Sequence, residues 1–212
     1  MVKPRLLLAD DHTLVLEAFK KLLEPEFEII GMVTDGRRLL ELAPQLRPDV
    51  ILIDLSMPLL NGMDAGERIK KMVPSAKLIV LTMNEDYELA SKALREWASG
   101  YLLKSSAGSE LVKAVREVLK GRSYTTPRVA QRQVEEFVRD PRQDRVKNLT
   151  TRQREVLQLL AEGRTMKEAA ALLEVATRTV AFHKYRIMEE FGLKTNSDLV
   201  RFAIKERVLS AM

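Results

Sequence analysis

Five short apolar runs, "RLLLA", "FEIIGMV", "VILID", "KLIVL" and "GYLLK", recur through the first half of the chain with amphipathic stretches between them. No other feature limits the fold as much. The runs read as buried strands, and helical spacing recurs between them over residues 14–23, 36–42, 63–72, 87–97 and 109–119. Parallel strands need long crossover connections, which helices supply. The pattern predicts a doubly wound α/β domain: a five-stranded parallel sheet covered by helices on both faces.

From Gly121 the pattern changes. The stretch 121–147 carries Pro127, placed to open a short helix, and "DPRQD", placed to break it, so it reads as a linker with a helix in it. Four amphipathic segments with short joints follow, predicting a small all-α domain over 148–212 behind an α/β domain over 1–120. Thr150 or Thr151 is placed to cap the first of these helices and Thr177 the third, while Gly163 and Gly192 mark helix ends.

Charge follows the same division. Residues 1–120 hold 17 basic and 18 acidic residues, a balance of −1, whereas 121–212 hold 18 and 12, a balance of +6. Only the second part is suited to face a polyanion. The chain contains no cysteine, which removes disulfides and thiolate metal sites and fits a reducing compartment. No segment reads as a signal peptide or a membrane span, so the expectation is a cytoplasmic protein with no membrane partner.

In an open parallel sheet, ligands bind beyond the carboxyl ends of the strands. Here the first strand ends at Asp10 and Asp11, the third at Asp54, the fourth at Thr82 and the fifth at Lys104. Carboxylates on neighbouring strand tips make an oxygen-rich site suited to Mg²⁺. A phosphoryl group would sit there against the metal, the Thr82 hydroxyl and the Lys104 ammonium.

The motifs "LLADDH", "ILIDLSMPLLNGMDA", "LTMNED" and "GYLLKSS" together resemble the flavodoxin-like receiver domain of two-component response regulators. The resemblance implies that Asp54 is the phosphoacceptor, that Asp10, Asp11, Asp54 and the backbone carbonyl of Ser56 hold Mg²⁺, and that Thr82 and Lys104 contact the phosphoryl oxygens. It makes Tyr101 the aromatic that switches rotamer as Thr82 moves. A carboxylate attacking phosphorus needs its charge and that of the incoming dianion neutralised, which Mg²⁺ and Lys104 would do. Pro58 and Gly62 shape the turn after the third strand. Trp97 departs from the small or aliphatic residue frequent there, and is expected in the core or on a contact surface. An aspartyl-phosphate hydrolase is the rival reading of the acidic site, but such enzymes place a second Asp two residues after the nucleophile, where this chain has Ser56.

Residues 149–204 resemble the LuxR-type helix-turn-helix domain of the NarL/FixJ class of response regulators. The third helix of this part, "TRTVAFHKYRIMEEFG", shows why. At about 100° per residue, Ile187, Phe191 and Lys184 fall within about 40° of Val180, and His183 about 60° away. Arg178, Phe182, Tyr185, Arg186 and Glu189 collect on the opposite side, so the two aromatics point away from the domain's own core. A recognition helix enters the major groove with its N-terminal residues nearest the base edges. A cap at Thr177 or Thr179 and the helix's positive end favour phosphates. Arg178, Lys184 and Arg186 are candidate phosphate or guanine contacts, and the resemblance puts base reading at Ala181, Phe182 and Tyr185. The alternative for the two rings is packing against the linker or the first domain in an inactive state; for the helices as a set, it is an acidic protein partner. His183 is expected to be structural or to touch phosphate.

In the last helix, Leu199, Val200, Ala203, Ile204 and Val208 read as mostly core, and the resemblance implies a dimer contact on its exposed part. The implied function is a transcriptional response regulator in which a sensor histidine kinase phosphorylates Asp54, controlling homodimerisation and binding to double-stranded DNA. RNA polymerase is a further candidate partner. No enzymatic role is expected beyond the receiver's own phosphorylation and dephosphorylation.

Overall fold

The computed structural model describes residues 2–83, 87–131 and 149–209. The described residues divide into two compact units, one built on 2–57 and 62–131, the other on 149–209 with 58–61 grouped to it.

The first unit is a parallel sheet of β1 (Arg5–Ala9), β2 (Glu28–Val33), β3 (Val50–Asp54), β4 (Lys77–Thr82), β5 (Gly100–Leu103) and β6 (Tyr124–Thr125), in the order β2-β1-β3-β4-β5-β6. Its helices are α1 (Thr13–Leu23), α2 (Gly36–Leu46), α3 (Gly62–Met72), α4 (Tyr87–Glu96) and α5 (Ala107–Leu119). Alternate residues of a strand face opposite sides. Leu6, Leu8, Leu52 and Leu81 accordingly join Leu16 and Leu23 of α1 and Leu111 and Val115 of α5 in one buried layer. On the other side, Gly31 leaves room for Leu7 and for Leu46 of α2.

In the first unit, two expectations change. The sheet has a sixth strand where the sequence reads as linker, because β6 is only two residues long and carries no apolar run. Its order comes from pairing: Gly100 and Tyr101 register with Tyr124 and Thr125, and the Thr126 N–H donates to the Tyr101 carbonyl at 3.0 Å. Thr126 is buried, accepting from the Leu103 N–H at 3.2 Å and donating to Glu110 Oε2 at 3.2 Å. Pro127 then opens a helical stretch described over 127–131, and "DPRQD" lies outside the described residues. The second change is α2, expected to stop at residue 42, which continues through Pro44 to Leu46. Proline within a helix costs about 3 kcal/mol; burial of Leu39 and Ala43 and the Asp35 cap, which accepts from the Arg38 N–H at 2.8 Å, offset it.

Trp97, just after α4, is core. It is 4% exposed, and a Cβ added at Gly66 of α3 would lie 2.5 Å from its six-membered ring. The small residue on one helix is what seats the large one beside the next.

The second unit contains α6 (Thr151–Ala161), α7 (Met166–Leu172), α8 (Thr177–Phe191) and α9 (Asn196–Lys205). Three of these begin with reciprocal caps. Thr150 pairs with Gln153, Thr165 with Glu168 and Thr195 with Asp198, each threonine accepting from the backbone N–H of its partner, whose side chain accepts in return. Gly163 and Gly192 adopt φ of 85° and 68° at helix ends, the left-handed conformation that glycine takes without strain. The expected cap on α8 differs: Ala176 stands at the N-cap, Thr177 is already helical, and no side chain caps the helix. Thr179 instead donates its backbone N–H to the Ala176 carbonyl.

Leu149, Leu157, Ile187, Leu199, Phe202, Ala203 and Val208 form one core, with the Phe191 and Phe202 rings 4.5 Å apart. Val156, Leu159, Ala169, Ala170, Leu173 and Val180 form another. Ile204, expected among the buried residues, is 39% exposed, while Phe202 is buried. Ile204 lies about 140° round the helix from Leu199, whereas Phe202 and Ala203 flank it.

Two stability predictions follow from this packing. Gly66→Ala should destabilise the first unit by about 1–3 kcal/mol, with a smaller loss in a Trp97→Leu background; equal losses in both backgrounds would mean that the ring contact is not the cause. Thr165→Ala and Thr195→Ala should each cost about 1 kcal/mol in urea unfolding followed by helical circular dichroism. Thr177→Ala should stay within about 0.5 kcal/mol of the parent.

Candidate acidic site and recognition surface

At the carboxyl edge of the sheet, Asp10 after β1, Asp54 at the end of β3 and Thr82 at the end of β4 are all buried, and Lys104 follows β5. The Lys104 Nζ lies 2.7 Å from Asp10 Oδ2 and 3.0 Å from Asp54 Oδ2. Its backbone N–H donates to the Thr82 carbonyl at 2.8 Å. Strands far apart in sequence thus bring two carboxylates and one ammonium together, with Thr82 on the strand between β3 and β5.

Burial pushes the Asp54 carboxyl above its ordinary 3.8, and the Asp10 charge adds to this; Lys104 and a backbone hydrogen bond from Ser56 work the other way. Burial also disfavours the Lys104 ammonium, but Asp54 and Asp10 together lift its pKa above 10.5. For Asp54 burial outweighs the lysine, and for Lys104 the two acids together outweigh burial. Gly62 lets α3 begin against this strand end, because a Cβ there would lie 2.0 Å from the Asp54 carbonyl oxygen.

Asp11 is partly exposed beside the buried pair. Its Oδ1 is 2.7 Å from His12 Nδ1, which is also 3.4 Å from Asp10 Oδ1, and the His12 N–H donates to Asp10 Oδ1 at 3.0 Å. Asp10, Asp11 and His12 each offer a ligand atom within 4.8 Å of the others. His12 was not assigned from sequence, although its place directly after the acid pair was the available signal. Asp10, Asp11 and Asp54 set three carboxyl groups against the one ammonium of Lys104. That oxygen-rich excess fits a hard divalent cation. Tyr101 on β5 is fully buried, and Ser56 is exposed.

On α8 the division into two faces holds. Val180 and Ile187 are fully buried, while Phe182 and Tyr185 are 57% and 60% exposed. Thr177, Arg178 and Arg186 are exposed; Thr179, Ala181 and Lys184 are half-buried. The Arg186 guanidinium lies 5.9 Å from the Phe182 ring centroid and the Lys184 ammonium 5.8 Å from that of Tyr185. His183 is half-buried, with Nδ1 out of contact with solvent. Burial, with Arg152 and Arg186 nearby, lowers its pKa below 6.5, favouring a neutral ring. Among the described residues, no helix is long and apolar enough to cross a membrane.

The family model for the response regulator receiver domain matches residues 6–116, and that for bacterial regulatory proteins of the luxR family matches residues 147–203. The oxygen regulatory protein NreC of Staphylococcus aureus is 36% identical over 97% of this chain and 99% of its own. A structure of the RcsB response regulator of Salmonella typhimurium is 29% identical, covers 97% of this chain and 99% of its own, and has a TM-score of 0.66. RcsB from Salmonella enterica serovar Typhimurium, bound to a promoter in the presence of the phosphomimetic BeF3-, is 30% identical over 94% of this chain and 97% of its own, with a TM-score of 0.60. The paired acids, the lysine between them and the two-faced helix accordingly belong to one architecture: the chain is a member of the two-component response regulators, a transcriptional regulator with a receiver domain followed by a LuxR-type DNA-binding domain.

Proposed function

We propose that Asp54 accepts a phosphoryl group from a sensor histidine kinase and that its occupancy controls pairing of the chain and its binding to double-stranded DNA. The observation that carries this reading is the Lys104 ammonium held between Asp10 and Asp54 at the sheet edge. An Asp54 carboxylate oxygen forms the bond to phosphorus as the phosphorus–nitrogen bond of a donor phosphohistidine breaks, its electron pair leaving with the imidazole. Lys104 and the Thr82 hydroxyl then stabilise the phosphoryl oxygens. Mg²⁺ held by Asp10, Asp11, Asp54 and the Ser56 carbonyl would supply the remaining charge neutralisation. Water reverses the modification by hydrolysing the acyl phosphate.

The phosphorylated state shifts an existing equilibrium, with Thr82 drawn inward and Tyr101 following it. The receiver is taken as 1–120 and the DNA-binding domain as 148–212, joined by 121–147, whose first residues lie in the sheet. Pairing of two chains, to which the exposed Ile204 of α9 offers apolar surface, lets two recognition helices engage adjacent half-sites and gain affinity through effective concentration. Thr177, Arg178, Thr179, Lys184 and Arg186 are assigned to the backbone and groove edges, and Ala181, Phe182 and Tyr185 to the bases. The DNA- and phosphomimetic-bound state of RcsB supports this reading. The setting is the cytoplasm, where RNA polymerase would be within reach.

With acetyl phosphate and Mg²⁺, the full chain should form an acid-stable, hydroxylamine-labile acyl phosphate that Asp54→Asn abolishes; unchanged labelling of that variant would remove Asp54 from the mechanism. In the absence of metal, the same substitution should raise thermal stability by about 1–3 kcal/mol, because it removes one of two buried like charges. Lys104→Met should instead lower stability by about 3–5 kcal/mol, since it strands both acids. Binding to one selected duplex and not to its scrambled counterpart, weakening steeply with salt, tests the DNA reading. Arg178→Ala should reduce the salt slope by about 1.

A further inference from the structure

The exposed ridge of α8 combines two aromatic rings with flanking cations. Phe182 and Tyr185 stand one turn apart, 57% and 60% exposed, on the side opposite the buried Val180 and Ile187. Both cations beside them lie near ring faces, Arg186 at Phe182 and Lys184 at Tyr185. Ala181, next along the helix, is half-buried and offers only a methyl group.

A phenyl ring has no hydrogen-bonding atom, so Phe182 cannot read the donor and acceptor pattern of a base edge. The apolar group that the major groove presents on one base alone is the thymine 5-methyl. Guanine and adenine are read by paired polar atoms, which neither Phe182 nor Ala181 can supply. Burying a large exposed ring against a polar base edge would also leave that edge without partners. The neighbouring cations suit the phosphates on either side of such a contact and hold duplex DNA as the occupant of this surface.

We propose that this recognition helix selects its site chiefly by thymine methyl groups, with Phe182 as the specificity-determining residue and Tyr185 beside it supplying further ring surface and one hydroxyl. This rests on the reading of α8 as the DNA-contacting helix. The preferred half-sites then contain thymines at fixed positions, on either strand, at the base pairs under Phe182. Methyl contact makes the preference one for thymine over uracil as well as over cytosine, because deoxyuridine keeps every hydrogen-bonding atom of thymidine and lacks only the methyl.

The experiment selects duplexes from a random pool with the full chain in acetyl phosphate and Mg²⁺, then replaces each fixed thymine by deoxyuridine. One contacted methyl is worth a loss of roughly fourfold in affinity. Phe182→Ala, a change at an exposed position, should bind more weakly and no longer distinguish thymine from uracil at those positions. Tyr185→Phe should keep the distinction. Sequence-dependent binding by the parent chain with equal affinity for thymine and uracil overturns the methyl proposal and leaves the DNA reading standing. An unchanged thymine-to-uracil ratio in Phe182→Ala also overturns it, and gives that ring to a protein partner or a second copy of the chain. Absence of preference for any duplex overturns both this proposal and the reading beneath it.

Discussion

One ammonium between two buried carboxylates governs the first unit. Lys104 can stand 2.7 Å from Asp10 and 3.0 Å from Asp54 only if β1, β3 and β5 end at the same edge of the sheet, with β4 between the last two. Removing charges from water costs several kcal/mol per ion unless each finds a partner. Three carboxylates against one ammonium leave an oxygen-rich edge of the kind a hard divalent cation fits. Burial raises Asp54, whereas the two acids beside it raise Lys104.

The rest of that unit keeps the edge in place. Gly62 allows α3 to start against the Asp54 backbone, where any side chain would collide, and Gly66 one turn later leaves room for the Trp97 ring. On the far side of β5, Thr126 links three pieces: the Tyr101 carbonyl, the Leu103 N–H and the Glu110 carboxylate. The strand that carries Tyr101 and leads into Lys104 is therefore bonded on both edges, by β4 and by the segment that leaves α5.

The second unit divides stability and recognition between different helix ends. Three helices are closed by threonine-based capping boxes, which satisfy backbone donors internally. The recognition helix begins at Ala176 without a side-chain cap. The Thr179 N–H is met instead by the Ala176 carbonyl. The same helix buries Val180 and Ile187 and leaves two aromatic rings outside, so core and interface are separated by angle around one axis.

Much of this was legible in the chain because periodicity and spacing are local properties. Apolar runs separated by amphipathic stretches determined the parallel sheet and the four-helix end, and about 100° per residue was enough to put Phe182 and Tyr185 on the face away from Val180. The polar strand ends Asp10, Asp54, Thr82 and Lys104 followed from the rule for open sheets. What depends on residues distant in sequence was not legible. Only pairing to β5 makes a strand of Tyr124–Thr125, and only the space above Gly66 makes Trp97 core. The place of His12 beside Asp10 and Asp11 and the sharing of Lys104 between two acids likewise depend on the folded chain, since a side chain's partners are fixed by where other strands end. The sequence by itself determined which elements form and which chemical groups stand at their tips; the tertiary structure alone decided which of those groups meet, because distance across a sheet is not encoded in distance along a chain.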